Sequence, residues 1–164
     1  MRWAWLVAAV AFALDQASKW AVLELLDLRS VGRLEVVPGW VDFVLAWNTG
    51  MNFGLMASPG GFGQWLLPAV AALVCGGLSW WLYGARRPPN AWGAGLVIGG
   101  ALGNALDRLV HGAVVDFLNV SVPAIDNPYA FNIADVCVVL GVVLVSFGRP
   151  ARRPAGAIGP VPPS

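Results

Sequence analysis

The chain has 164 residues, 58% of them hydrophobic and 12% charged, which is about half the charged share of an ordinary soluble domain. A net charge of +1 and the lack of a basic run interleaved with aromatics argue against a nucleic-acid partner. Nine tryptophans and twenty glycines fit a membrane protein, with rings at the interfaces and small residues where helices touch.

In chain order, the first apolar stretch covers residues 3–26 and is interrupted by Asp15 and Lys19. Its start has the outline of a signal peptide, Arg2 followed by an apolar run to Leu14. The residues that follow, Asp15-Gln16-Ala17-Ser18-Lys19, are not small-residue cleavage chemistry, so an uncleaved helix is expected. The connection that follows holds Leu34-Glu35-Val36-Val37, a Pro38-Gly39 turn and a second run from Trp40 to Trp47. It reads as a short strand pair at the membrane surface. The second apolar stretch, 62–83, carries no charge, and a short loop around Arg86-Arg87-Pro88-Pro89 follows it. The third covers 91–106. After it, Gly112 to Leu118 is extended in character, and a Pro-containing loop leads to Phe131. The fourth covers 133–147, with Asp135 near its start, and the tail after Gly148 is rich in Pro and Gly and is expected to be disordered.

A bilayer core takes roughly 20 helical residues. The second stretch meets that length, the first meets it if its polar residues lie near one end, and the others need flanking residues. The expected architecture is an all-α polytopic membrane domain over residues 1–148. Its four spans lie near 3–24, 62–83, 91–110 and 132–148, with loops over 25–61 and 111–131 and a tail over 149–164. A small β element and a short helix lie on the outer face. With both termini inside, the inner segments hold Arg2, Arg86, Arg87, Arg149, Arg152 and Arg153 and no acidic residue, which is the positive-inside pattern.

On this topology Asp15, Asp107, Asp116 and Asp135 all fall at the outer end of a span or just beyond it. A charge at the bilayer centre costs about 2.5–3.5 kcal/mol on insertion scales, so their gathering at one depth marks a site. Asp15 and Lys19 are four apart on one helix face, Asn104 and Arg108 likewise, and Asn132 and Asp135 are three apart. Each pair alone could be an interhelical clamp. Three pairs from three spans at one leaflet point to chemistry.

Two carboxylates brought close cannot both ionise readily, so they share one proton, and desolvation favours keeping it. Such a pair hydrolyses a peptide: one member takes a proton from water and the other polarises the carbonyl. No metal and no cofactor are expected. The only histidine, His111, has no partners for a serine triad or zinc site and reads as an interfacial residue. Cys75 and Cys137 sit among small or aliphatic neighbours and read as core residues. The tryptophans read as interfacial anchors, and Gly99, Gly100 and Gly103 as close helix contacts.

These segments resemble the motif boxes of a known family. Asp15-Gln16-Ala17-Ser18-Lys19 is similar to its first box, and Asn48-Thr49-Gly50-Met51-Asn52-Phe53-Gly54 to its second. Gly99 through Asp107-Arg108 is similar to the third, Gly112 through Asp116-Phe117 to the fourth, and Phe131-Asn132-Ile133-Ala134-Asp135 to the fifth. The family is lipoprotein signal peptidase, or signal peptidase II (peptidase family A8), and the resemblance runs over residues 11–148. It departs at Asn52, where the family carries a small residue.

The resemblance implies an aspartyl endopeptidase of the bacterial inner membrane with its site near the periplasmic face. It would cut the signal peptide from diacylglyceryl-modified prolipoproteins just before the lipidated cysteine. Asp116 and Asp135 would be the catalytic pair. Asp15, Lys19, Asn48, Gly50, Asn104, Arg108 and Asn132 would orient the pair and bind substrate. Partners would be lipid-modified prolipoprotein signal peptides and membrane phospholipid, with globomycin-type peptides as inhibitors, and the loop from Asn48 to Gly54 would cover the scissile bond. Arg108 would offer bidentate hydrogen bonds, or pair with Asp107 or a headgroup phosphate. The competing readings are a proton-coupled transporter, which needs polar residues through the membrane depth, and a scaffold in which the polar ring only locks helices.

Overall fold

The computed structural model describes residues 2–50, 62–83, 88–122 and 127–147. Helix α1, Arg2–Trp20, continues into a π-helical turn, Ala21–Leu25, and a short helix α2, Leu28–Val31. Strands β1, Arg33–Val37, and β2, Val41–Asn48, come next, followed by helices α3, Phe62–Leu82, and α4, Pro88–His111. Strand β3, Val114–Val120, and helix α5, Ile133–Phe147, complete the order.

The expected strand pair is present, and the mechanism of its turn is visible. Pro38 has its φ set by the ring, Gly39 takes φ +74°, and the Trp40 amide donates to the Val37 carbonyl at 2.9 Å, the arrangement of a type II turn. The extended segment after Gly112 is the third strand, giving an antiparallel sheet in the order β1-β2-β3. The short helix expected on this face corresponds to α2. One boundary differs from the sequence expectation. Pro88 and Pro89, read as loop, open α4, because a first-turn proline forfeits no intrahelical hydrogen bond and brings a helical φ.

Helix α4 is central and packs against α1, α3 and α5. Glycines make the close approaches possible. A Cβ on Gly95 or Gly99 would strike the Ala4 or Ala8 carbonyl of α1. On the opposite side, a Cβ on Gly93 would come within 2.7 Å of the Gly141 carbonyl of α5, and one on Gly100 within 2.5 Å of that of Ala134. The contact role read for Gly99 and Gly100 is therefore realised, one on each flank of the helix, and Gly95 and Gly93 extend it.

Two apolar clusters fill the interior. Ala4, Ala8, Cys75, Leu82, Ala91, Ala94 and Ile98 join α1, α3 and α4 at one end. At the other, Val22, Leu23, Leu28, Val115 and Phe117 hold the sheet against the π-helical turn. Phe43 meets Phe117 edge-on there at 5.7 Å.

The outside carries many large apolar side chains. All nine tryptophans are 40% or more exposed, and α5 exposes Val139, Leu140, Val142, Val143 and Phe147. Two segments, Arg2–Leu25 and Trp65–Leu82, are long and apolar enough to cross a membrane. Helix α4, at 24 residues, spans about 36 Å but carries Asn90, Asn104, Asp107 and Arg108. Helix α5 has 15 described residues. The basic residues at 86–87, the loop residues 51–54 and the tail 149–164 lie outside the described residues.

Candidate active site

The site forms where the sheet meets the ends of α1 and α4 and the start of α5. Local sequence explains the last of these. Asn132 precedes α5 and accepts the Asp135 amide on its side-chain oxygen at 3.0 Å, while the Asp135 carboxylate accepts the Asn132 amide at 3.2 Å. This reciprocal cap satisfies two otherwise orphaned helix-terminal donors. It also pins the carboxylate.

With its oxygen so used, Asn132 must present its amide nitrogen elsewhere, and that nitrogen donates to Asp116 at 2.6 Å and Asn104 at 3.1 Å. Asn104 is oriented by the same logic. Its oxygen accepts from Asn132 and from Lys19, at 3.1 Å each, so its nitrogen faces Asp135 and donates at 2.9 Å. Asn48, at the end of β2, donates to the second oxygen of Asp116 at 2.9 Å. Each oxygen of both carboxylates therefore accepts a hydrogen bond, and two asparagines link the pair.

Asp116 lies on β3 and is buried. Its carboxyl is raised above the ordinary 3.8, with burial the largest cause. The Asn48 hydrogen bond opposes the shift, and the negative charge of Asp135 adds to it.

Behind this pair lies a buried ionic layer. The Lys19 ammonium touches Asp15 at 2.7 Å, Asp107 at 2.8 Å and the Asn104 oxygen at 3.1 Å, using its three donors. Asp15 also accepts the Ala134 amide at 2.9 Å, which ties α1 to the first turn of α5. Asp107 accepts the Val115 amide at 3.2 Å and so holds β3 one residue before Asp116.

Arg108 does not pair with Asp107. It donates to the Asn104 carbonyl at 3.2 Å, lies near enough to Asp116 and Asp135 to feel their charge, and keeps a buried Nε with no hydrogen-bond partner among the described residues. Gly50 takes φ +81° and donates its amide to the Asn48 side chain at 2.8 Å. A Cβ there would come within 3.3 Å of the Arg108 guanidinium.

All nine residues expected from the sequence thus lie in or against one assembly. Gln16 was not expected, and its amide donates to Asp15 at 3.1 Å and Asp107 at 3.0 Å; Asp107, expected only as one of the acids gathered at this depth, takes a bonding role that was not assigned to it. The signal for Asp107 was present, because Gly95, Gly99, Gly103 and Asp107 recur every four residues and so share the α1-facing stripe. His111 is exposed and lies edge-on to Trp47 at 5.7 Å. Among the described residues no three His, Cys, Asp or Glu side chains are grouped to hold a metal.

Gly103 offers a test of this packing. A Cβ there falls on the Asp15 carboxylate, which Lys19, Gln16 and Ala134 hold in place. Gly103→Ala should therefore cost about 1–3 kcal/mol, measured as a lowered melting temperature in detergent. A wild-type melting temperature would show that this contact is slack.

The family model for signal peptidase (SPase) II matches residues 7–148. The chain belongs to the signal peptidase II family. Curated relatives named lipoprotein signal peptidase agree along nearly their whole length. That of Rhodopseudomonas palustris is 42% identical over 153 residues, covering 92% of this chain and 93% of the relative. That of Caulobacter vibrioides is 43% identical over 143 residues, covering 87% and 83%. A solved bacterial membrane enzyme superposes with a TM-score of 0.75 at 23% identity, covering 88% of this chain and 90% of its own. At that identity the likeness speaks for the fold. In this signal peptidase II chain the matched region takes in every residue of the assembly above.

Proposed function

We propose that this chain is a lipoprotein signal peptidase that removes the signal peptide from lipid-modified prolipoproteins by aspartyl-dyad hydrolysis in the membrane. The observation that carries the reading is the pair Asp116 and Asp135, joined through Asn132 and Asn104 and backed by a neutralising lysine. The comparisons support the substrate class. The apolar exterior supports four membrane spans, with α4 and α5 completed by their flanks. Polar groups concentrated at one end of the helices disfavour a transporter relay, which would distribute them through the depth.

In the reaction the dyad holds one proton. The ionised member takes a proton from water as the water attacks the scissile carbonyl, and the protonated member polarises that carbonyl. A tetrahedral diol results. Its collapse passes a proton to the departing cysteine amine and leaves a carboxylic acid and a free amine. Asn104, Asn132 and Asn48 hold the carboxylates, while Arg108, whose Nε has no partner among the described residues, binds substrate carbonyl oxygen beside Gly50. The site faces the periplasm, both termini are cytoplasmic, and the membrane is the bacterial inner membrane. Acyl chains of the substrate reach the dyad laterally through lipid. A globomycin-type peptide would compete at the same place.

Cleavage of a purified diacylglyceryl-prolipoprotein by the full chain in nanodiscs tests this. Cutting just before the lipidated cysteine is expected, and no cutting by well-folded protein would overturn the reading. The pH profile carries further information. A raised Asp116 keeps the shared proton to higher pH, so kcat/KM should fall on the alkaline side only well above the ordinary carboxylate value of 3.8. Asn48 stabilises the ionised form of Asp116. Asn48→Ala should therefore move the alkaline limb further up as well as lowering kcat. A downward movement would contradict the assignment.

A further inference from the structure

Beside the ionic layer lies a cavity of about 210 Å³ that the proposed reaction does not use. Taking about 30 Å³ as the liquid share of one water, it has room for roughly seven waters, or a small polar group. Its floor is Lys19 and Asp107, already bonded to each other at 2.8 Å. With all three Lys19 donors taken, the floor offers a ligand no free cation. The rim is different. Arg29 and Glu24 approach no closer than 3.8 Å, and their side chains are 51% and 52% exposed, so both keep most of their bonding capacity. His111 stands at the rim, and Trp20 and Leu23 provide an apolar edge.

The backbone here is unusual in two ways. Trp20 leads into the π-helical turn Ala21–Leu25, which carries Leu23 and Glu24 to the cavity. Asp27, between that turn and α2, is the one non-glycine residue with positive φ among the described residues, at 45°. Isolated π-helical turns and left-handed non-glycine residues cost free energy and recur at functional sites.

We propose that this cavity binds the headgroup of a phospholipid bearing a primary amine, with its phosphate on Arg29 and His111 and its ammonium on Glu24. The inference rests on the membrane reading above, which sets this end of α1 and α4 at the outer bilayer edge. The lining charges are two cations, Lys19 and Arg29, against two carboxylates, Glu24 and Asp107. At the rim Arg29 and Glu24 stand side by side at 3.8 Å, a cation and an anion that together suit a dipolar headgroup. A simple anion on Arg29 would meet the negative charge of Glu24 beside it. Guanidinium binds phosphate oxygens in bidentate fashion, and a carboxylate takes hydrogen bonds from a primary ammonium that a quaternary one cannot supply. Trp20 and Leu23 lie where the glycerol and first methylenes leave the cavity. The lipid would brace the π-helical turn against α4, next to Lys19.

The test is native mass spectrometry of the full chain released from detergent with equal amounts of phosphatidylethanolamine, phosphatidylcholine and phosphatidylglycerol. Soluble O-phosphoethanolamine is titrated separately. About tenfold preference for phosphatidylethanolamine is expected. Glu24→Gln should erase its advantage over phosphatidylcholine, and Arg29→Gln and His111→Gln should each weaken retention of all three lipids. Equal retention of the three lipids, or unchanged preference in Glu24→Gln and Arg29→Gln, would overturn the site. Soluble phosphoethanolamine binding as tightly as the lipid would overturn the lipid assignment. Prolipoprotein cleavage is assayed on the same samples. Lipid preference without cleavage would sink the peptidase reading alone, and cleavage without lipid preference would sink this one alone.

Discussion

Asp116→Asn and Asp135→Asn should each lower kcat/KM for prolipoprotein cleavage by about a thousandfold or more, with the melting temperature little changed. Each substitution keeps the shape of the side chain but removes a titrating group. An amide at either position can neither take a proton from water nor return one to the amine. General acid–base chemistry contributes roughly 10²–10⁴ per participating group, and groups that act as a unit are lost together. The double substitution should thus be little worse than either single one. The local hydrogen bonds predict a similar, small structural cost for the two variants. Asp116 accepts from Asn132 and Asn48, and an amide there keeps an acceptor for only one of them. Asp135 likewise accepts from two donors, the Asn132 backbone amide and the Asn104 side chain, and an amide there also keeps an acceptor for only one. Cleavage within tenfold of wild type in either folded variant would mean that the pair is wrongly chosen.

Lys19→Met should be the most damaging substitution for stability, costing about 3–5 kcal/mol. Methionine fills much of the same volume but takes the ammonium from three acceptors: Asp15, Asp107 and the Asn104 oxygen. The two carboxylate side chains are 0% and 4% exposed, so a neutral water from the neighbouring cavity cannot supply the lost charge. Two close carboxylates without it repel each other, and one must take up a proton. Adding Asp107→Asn to Lys19→Met removes one of the stranded charges and should recover part of the loss. Thermal unfolding in detergent measures both steps. A Lys19→Met protein that melts like wild type would show the layer to be dispensable. Activity should fall as well, because the Lys19 bond to Asn104 fixes which end of that amide meets Asp135.

How far this arrangement could be read beforehand depends on the kind of contact. The pairs Asp15 with Lys19 and Asn132 with Asp135 were legible, because helical spacing of three or four sets such neighbours whatever surrounds them. The turn at Pro38-Gly39 was legible for the same local reason. The opening of α4 at Pro88 was not, because proline signals a break as readily as a first turn. Nor was the pairing of β3 with β2, which closes a loop between segments far apart in sequence. Arg108 could have taken its chain neighbour Asp107 as partner. The packing of α4 on α1 gave Asp107 to Lys19 instead.

By itself the sequence determined the apolar segments, the gathering of acids and amides toward one end of them, and the glycine stripe along which the helices meet. Those properties follow from composition and from period 3.6, which act within a single element. The tertiary structure alone decided which amide faces which carboxylate, that one lysine serves both Asp15 and Asp107, and that a backbone amide of β3 is held next to Asp116. These contacts cross between elements. They depend on the rotation and depth of each helix against its neighbours, which the glycine contacts of α4 set.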